Sequence, residues 1–151
     1  MKSNYSSKWF EAMEGEMKSI NANIVWDLEI ISKGAKTVGC KWVYKTKLNS
    51  QGNIEWYKAR LVAKGFTQRE VINYNETFST VSCKDSFIII MALVAHYDLE
   101  LHQMDVKTAF LNGDLEENVY MAQPKGFVMK GKERMGCRLK KLIYGLKQAS
   151  R

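Results

Sequence analysis

The stretch Tyr57-Lys58-Ala59-Arg60-Leu61-Val62-Ala63-Lys64-Gly65-Phe66-Thr67-Gln68 decides the fold. Successive side chains of a strand point to opposite faces. Tyr57, Ala59, Leu61 and Ala63 therefore share one face, and Lys58, Arg60 and Lys64 the other. Upstream, residues 37–48 alternate in the same way, with Val38, Cys40, Trp42, Tyr44 and Leu48 against Lys41, Lys45 and Lys47. Between them Asn49-Ser50-Gln51-Gly52-Asn53 has the composition of a hairpin loop. The pattern predicts a β-hairpin over residues 37–64 with one apolar face. If the register aligns the two strands, six cationic side chains pool on the other.

Working outward, Trp9, Met13, Met17 and Ile20 recur at helical spacing, predicting an amphipathic helix over 7–21 capped by Ser6 or Ser7. A short extended piece follows at residues 25–30, and Lys33-Gly34 reads as a turn. Residues 66–81 read as irregular. Phe87, Ile90, Met91, Val94 and Ala95 predict a buried helix over 84–97. Residues 99–105 read as a strand ending at Asp105, Asn112-Gly113 as a turn, and Val119-Tyr120-Met121 as a short strand. Pro124 falls in a loop, the Gly- and Lys-rich residues 128–136 form a surface loop, and 142–148 start a helix. Strands and helices mix without a βαβ rhythm, so the expected class is α+β.

The chain has 151 residues, the size of one domain, with 46% hydrophobic content and a net charge of +7. The charge favours an anionic partner such as nucleic acid or a nucleotide. Cys40, Cys83 and Cys137 are widely spaced, without a CxxC or Cys/His cluster, which argues against structural zinc and for free thiols. The polar N-terminus has no signal-peptide core, and the apolar run 87–95 is too short to span a bilayer. The chain is expected to be intracellular, cytoplasmic or nuclear, with no membrane partner and no inferred oligomeric state.

Several residues carry two readings. Lys58, Arg60 and Lys64, interleaved with Trp56 and Tyr57, suit a phosphate chain, but the pattern alone favours a solvated face in which lysines guard a strand edge. Asp105, followed by Val106-Lys107-Thr108, suits a Mg²⁺ ligand at a strand end, but the pattern alone favours a turn-capping aspartate. Phe110 suits a place beside a bound sugar or in the core. His96 and His102 have no nucleophile at telling spacing. Asp114, Glu116 and Glu117 read as a solvated acidic face. Gly145-Leu146-Lys147 is only a weak phosphate signal.

The motifs together resemble the reverse transcriptases of copia-type retrotransposons. Residues 57–68 resemble that family's fingers motif, and Leu101-His102-Gln103-Met104-Asp105-Val106-Lys107-Thr108-Ala109-Phe110-Leu111-Asn112-Gly113 its first palm motif. Residues 142–151 resemble its next block. Residues 25–28, 39–45 and 123–127 match as well, so the resemblance spans about residues 8–151.

The resemblance implies the fingers and partial palm of a right-hand polymerase. It places a tail at 1–7, fingers at about 8–98 and partial palm at about 99–151. The implied parent activity is RNA-directed DNA synthesis with Mg²⁺, a template-primer of RNA or DNA, and a dNTP. Asp105 matches the first catalytic aspartate and metal ligand, with the Val106 carbonyl beside it. Phe110 matches the aromatic under the incoming sugar that screens against a 2′-hydroxyl. Lys58 and Arg60 lie in the segment that meets the triphosphate. Tyr144, Gly145 and Lys147 match the border of the template and nucleotide pocket.

The family's Tyr-x-Asp-Asp turn does not occur in these residues. The chain is therefore expected to be truncated before the second catalytic carboxylate motif and inactive alone. The alternative is a non-catalytic, basic nucleic-acid-binding fragment. Ile88 and Trp56 stand where the family often has Arg, Thr80 where it has Pro, Val71 where it has Gly, and Ile31-Ser32 interrupts a usual Leu-Pro. These departures suggest relaxed selection.

Overall fold

A computed structural model describes residues 5–32, 36–68, 84–102, 104 and 108–149. The class is α+β. Helix α1 spans Tyr5–Ala22, longer than its apolar spacing predicts, so Ser6 and Ser7 lie inside its first turn rather than capping it. It ends where the Asn23 side-chain amide donates to the Ser19 carbonyl at 2.8 Å, and Ile24 then turns the chain at φ 52°. Strand β1 follows at Trp26–Ile30.

The predicted hairpin is present as β2, Cys40–Leu48, and β3, Ile54–Ala63. Its register pairs Trp42 with Leu61, Tyr44 with Ala59, and Cys40 with Ala63 on the apolar face. Leu61 is fully buried and Ala59 and Ala63 nearly so. The Asn49 side chain closes the loop, accepting from the amides of Gln51 at 3.0 Å and Asn53 at 2.9 Å. Helix α1 packs against β3. The Trp9 ring meets Tyr44 and Tyr57 edge-on, with centroids 5.1 and 4.7 Å apart.

Strand β4, Tyr120–Met121, and strand β5, Met135–Leu139, complete a second, antiparallel sheet in the order β1-β5-β4. Val38 joins the two sheets. It sits beside Met121 as a parallel bridge, donating to Tyr120 O at 2.8 Å and accepting from Ala122 N–H at 2.9 Å. The core lies between the sheets and α1, and includes Ile20, Val25, Val38, Leu61, Leu111 and Ile143. Cys40 is half-buried and Cys137 buried, both as free thiols, while Cys83 lies outside the described residues.

Four expectations are corrected. Residues 84–97 do form a helix, α2, Lys84–Tyr97, but it is not buried: Phe87, Ile88, Ile89, Ile90 and Leu93 are all exposed. Its apolar residues run around the whole circumference, and no described element covers them. Residues 99–102 and 104 form no strand; Leu99, Leu101 and Met104 are exposed, and no described strand lies alongside to take their hydrogen bonds. The loop expected to run to 136 gives way at Met135 to β5, whose Gly136 leaves room for the Ile31 side chain. Residues 142–149 form turns rather than a helix, because the Tyr144 carbonyl bonds outward to the Ala63 amide and Gly145 adopts φ 88°. The segment 69–81 lies outside the described residues beyond a short 3-10 turn at Gly65–Thr67.

Candidate nucleotide and nucleic-acid interface

The hairpin register sets Lys45 opposite Lys58, Val43 opposite Arg60 and Lys41 opposite Val62, with Lys47 beside Trp56. Residues directly opposite in an antiparallel pair lie on the same face. Lys41, Lys45, Lys47, Lys58 and Arg60 therefore share the face turned away from the buried one. Lys64 continues just past β3, its stem lying over Gly39. Like charges placed opposite each other are unfavourable. This face is an electrostatic cost to the isolated fold that an anionic ligand would relieve.

The two aromatic candidates of this segment separate. Trp56 is half-exposed, with the Lys58 ammonium 5.8 Å from its ring centroid. Tyr57 turns to the opposite face, where Trp9 meets its ring and the Lys8 ammonium stands 5.5 Å from its centroid. Alternation along the strand forces this division, so Trp56 alone of the pair joins the basic face.

Arg60, Tyr144 and Phe110 converge. The Arg60 guanidinium lies over the Tyr144 ring, 4.4 Å from its centroid. Phe110 meets the same ring edge-on, with centroids 4.7 Å apart and planes at 82°. Phe110 starts the 3-10 turn Ala109–Asn112 with Ala109, and also packs against the core. Before it, Thr108 holds φ 56° and ψ 38°. A left-handed conformation at a β-branched residue costs about 1–3 kcal/mol, and such strain gathers at functional sites.

The backbone that carries Tyr144 is interlocked with the end of β3. The Ala63 amide donates to Tyr144 O at 2.7 Å. A Cβ on Gly145 would strike the Ala63 carbonyl, and one on Gly65 would strike the Gly145 carbonyl, so the two glycines let the chains cross in contact. Gln68 and Gln148, both buried, fasten the crossing: Gln68 Nε2 donates to Gln148 Oε1 at 3.0 Å, and the Lys147 amide donates to Gln68 Oε1 at 2.8 Å. Sequence reasoning assigned no role to this amide pair. Its only signal was that both glutamines sit inside the motif segments. The Lys147 residue itself is exposed.

Glu16 of α1 reaches the same strand, where its carboxylate accepts from the Leu61 amide at 3.3 Å. Burial pushes the Glu16 carboxyl up from its ordinary pKa, against the lowering effect of the Leu61 amide, Arg60 and Lys58. Burial likewise raises the Cys137 thiol to about 12, with Cys40 adding to the rise.

Asp105 and Val106 lie outside the described residues. Among the described residues, no three His, Cys, Asp or Glu side chains gather as an ion site. His102 pairs with Glu100 at 3.5 Å, both strongly exposed. Asp114 pairs by a backbone bridge with Lys141, and Asp114 and Glu116 are exposed as expected of a solvated face. A separate cleft of about 380 Å³ runs between α1 and the second sheet, lined by Met17, Trp26, Leu28, Pro124 and Phe127 among others. It shares no residue with the Arg60 group. Among the described residues, no helix is long and apolar enough to cross a membrane.

Residues 23–151 match the family described as reverse transcriptase (RNA-dependent DNA polymerase). The retrovirus-related Pol polyprotein from transposon TNT 1-94 of Nicotiana tabacum is 49% identical over 141 residues, covering 93% of this chain and 11% of that protein. The Pol polyprotein from transposon RE2 of Arabidopsis thaliana is 45% identical over 145 residues, covering 95% of this chain and 10% of that protein. The chain thus spans about a tenth of the length of these curated relatives. No solved structure matches it. By its motifs and these relatives, the chain belongs to the reverse transcriptase family of copia-type transposon Pol polyproteins.

Proposed function

We propose that this chain is the nucleotide-facing part of an RNA-directed DNA polymerase, with fingers at about 8–98 and palm from about 99. The observation that carries the reading is the meeting of Arg60, Tyr144 and Phe110, three residues from separate motif segments. On this reading Arg60 takes triphosphate oxygens, with Lys58 adding charge nearby. Phe110 stands under the deoxyribose and disfavours a 2′-hydroxyl. Tyr144 and Gly145 border the pocket, with Lys147 at its rim. Phosphoryl transfer relies on positioning and charge neutralisation more than on covalent chemistry, which suits such a set.

The basic hairpin face would hold the template-primer by its phosphates, with Trp56 offering a stacking surface. The parent enzyme's chemistry implies Mg²⁺, which would neutralise charge on the phosphates. Asp105 and the Val106 carbonyl are oxygen donors of the kind Mg²⁺ prefers. Asp105 would be one of the several carboxylates that a two-metal site uses. The 151-residue chain is expected to leave a primer unextended.

A second reading, a nucleic-acid-binding module without nucleotide selectivity, is favoured by the lysine-rich hairpin face alone. Titration of the chain with dTTP and with a short RNA separates the two. The polymerase reading expects both to bind, with Arg60→Ala weakening dTTP more than RNA. RNA binding without any dTTP binding would leave only the second reading.

A further inference from the structure

We infer that Tyr144 is a positioning residue: its ring holds the Arg60 guanidinium flat so that its N–H edge faces a nucleoside triphosphate. The inference rests on the nucleotide reading above and adds a device to it.

Arg60 projects from the basic face of β3, where it could sweep a wide arc on its long side chain. Instead its guanidinium carbon lies over the Tyr144 ring, 4.4 Å from the ring centroid. A guanidinium stacked face-on against a ring keeps its planar fork of N–H donors at the edge for bidentate contact with phosphate oxygens. The contrast is Arg138, whose guanidinium is engaged by Glu29 at 3.2 Å and by Asn118 at 3.2 Å. Arg60 is held by an aromatic ring and forms no ion pair among the described residues. The Glu16 carboxylate acts on it only through space, so its charge is positioned by the ring rather than held in an ion pair among the described residues.

The platform is itself fixed. Phe110 meets the Tyr144 ring edge-on. The Tyr144 carbonyl is tied to the Ala63 amide at 2.7 Å. The next residue, Gly145, is wedged against Val62 and Ala63 at φ 88°. The buried Gln68–Gln148 pair then locks the following turn to the end of β3. A side chain ordered before the ligand arrives has less freedom to lose on binding. The same ring touches Phe110, so one residue couples the proposed sugar contact to the proposed phosphate contact.

The test uses the 151-residue chain, with dTTP, inorganic triphosphate and a short RNA as probes. A cation–π contact of this kind corresponds to about a fivefold change in affinity. Tyr144→Leu is expected to weaken dTTP and inorganic triphosphate about fivefold, and Tyr144→Phe to restore the loss. In an Arg60→Ala background, Tyr144→Leu should weaken inorganic triphosphate no further. RNA binding should change little, which separates a triphosphate from backbone phosphate as the ligand. An RNA loss equal to the dTTP loss would overturn the assignment to a triphosphate.

Without any ligand, the Arg60 δ-protons should be shifted upfield by the ring in the wild type and Tyr144→Phe, and return to ordinary values in Tyr144→Leu. Unshifted Arg60 protons in the wild type would refute the stack. Wild-type dTTP binding that Arg60→Ala weakens and Tyr144→Leu does not would refute the positioning role and spare the nucleotide reading. No dTTP binding by the wild type would sink both.

Discussion

Replacing Gly145 by Ala tests whether the crossing of the 144–145 segment over the end of β3 holds the site together. Gly145 sits at φ 88°, where an L-residue costs about 1–2 kcal/mol. The added Cβ would also strike the Ala63 carbonyl and come within 2.6 Å of Val62 Cγ1. Overpacking of this sort costs about 1–3 kcal/mol. Moving the segment away to relieve it breaks the Ala63-to-Tyr144 hydrogen bond, worth about 1 kcal/mol. The sum is a loss of about 3–6 kcal/mol, a large part of the roughly 5–15 kcal/mol that stabilises a domain.

Gly131→Ala is the internal control. Gly131 has a similar φ of 80°, but a Cβ there meets nothing within 4 Å. It should cost only the conformational share, about 1–2 kcal/mol. Urea unfolding followed by circular dichroism reads the difference. With a slope of about 2 kcal/mol/M, Gly145→Ala should lower the midpoint by roughly 1.5–3 M and Gly131→Ala by less than about 1 M. Equal shifts for the two variants would refute the argument from close approach.

Three further outcomes are expected. Ile24 is exposed and left-handed at the end of α1, where Gly is favoured, so Ile24→Gly should raise stability by about 0.5–1 kcal/mol in the same urea assay. The folded-state pKa of Glu16 is raised by burial, so its contribution to stability is fully present below the ordinary carboxyl pKa and is lost as pH rises through the raised value. Glu16→Gln should flatten that part of the stability–pH curve in thermal melts between pH 4 and 7, and an unchanged slope would contradict the burial argument. The Cys137 thiol, raised to about 12 and buried, should resist alkylation at pH 8 in the native protein and react only on unfolding, as read by mass spectrometry of the labelled peptide.

Much of the hairpin was legible because two independent signals agreed. The period-two alternation of residues 37–64 and the Asn/Gly loop at 49–53 fix strands and turn, and the apolar face then fixes the register. The helix at 84–97 was legible as a helix from its length and apolar run. Its exposure was not, because hydrophobic sequence says that a surface seeks cover without saying what provides it. Strand β5 was hidden by the Gly and Lys residues before it. Gly136 reads as a loop signal, yet it serves the Ile31 side chain packed against it. The expected helix at 142–148 failed for a tertiary reason, since the Tyr144 carbonyl is taken by Ala63 from another segment.

For the site, spacing alone left Arg60, Phe110 and Tyr144 in three unconnected stretches. The motif resemblance grouped them by role, and the backbone crossing at Gly65 and Gly145 groups them in space. The buried Gln68–Gln148 pair was invisible because two glutamines eighty residues apart carry no local pattern.

The central claim is that the Arg60, Tyr144 and Phe110 group receives a nucleoside triphosphate. The most direct measurement is a dTTP titration of the isotopically labelled chain, followed residue by residue in NMR spectra. Saturable shifts should centre on Arg60, Phe110 and Tyr144 and fade in Arg60→Ala. Shifts centred instead on the cleft beside Trp26 and Phe127, or no shifts at millimolar dTTP, would contradict the account.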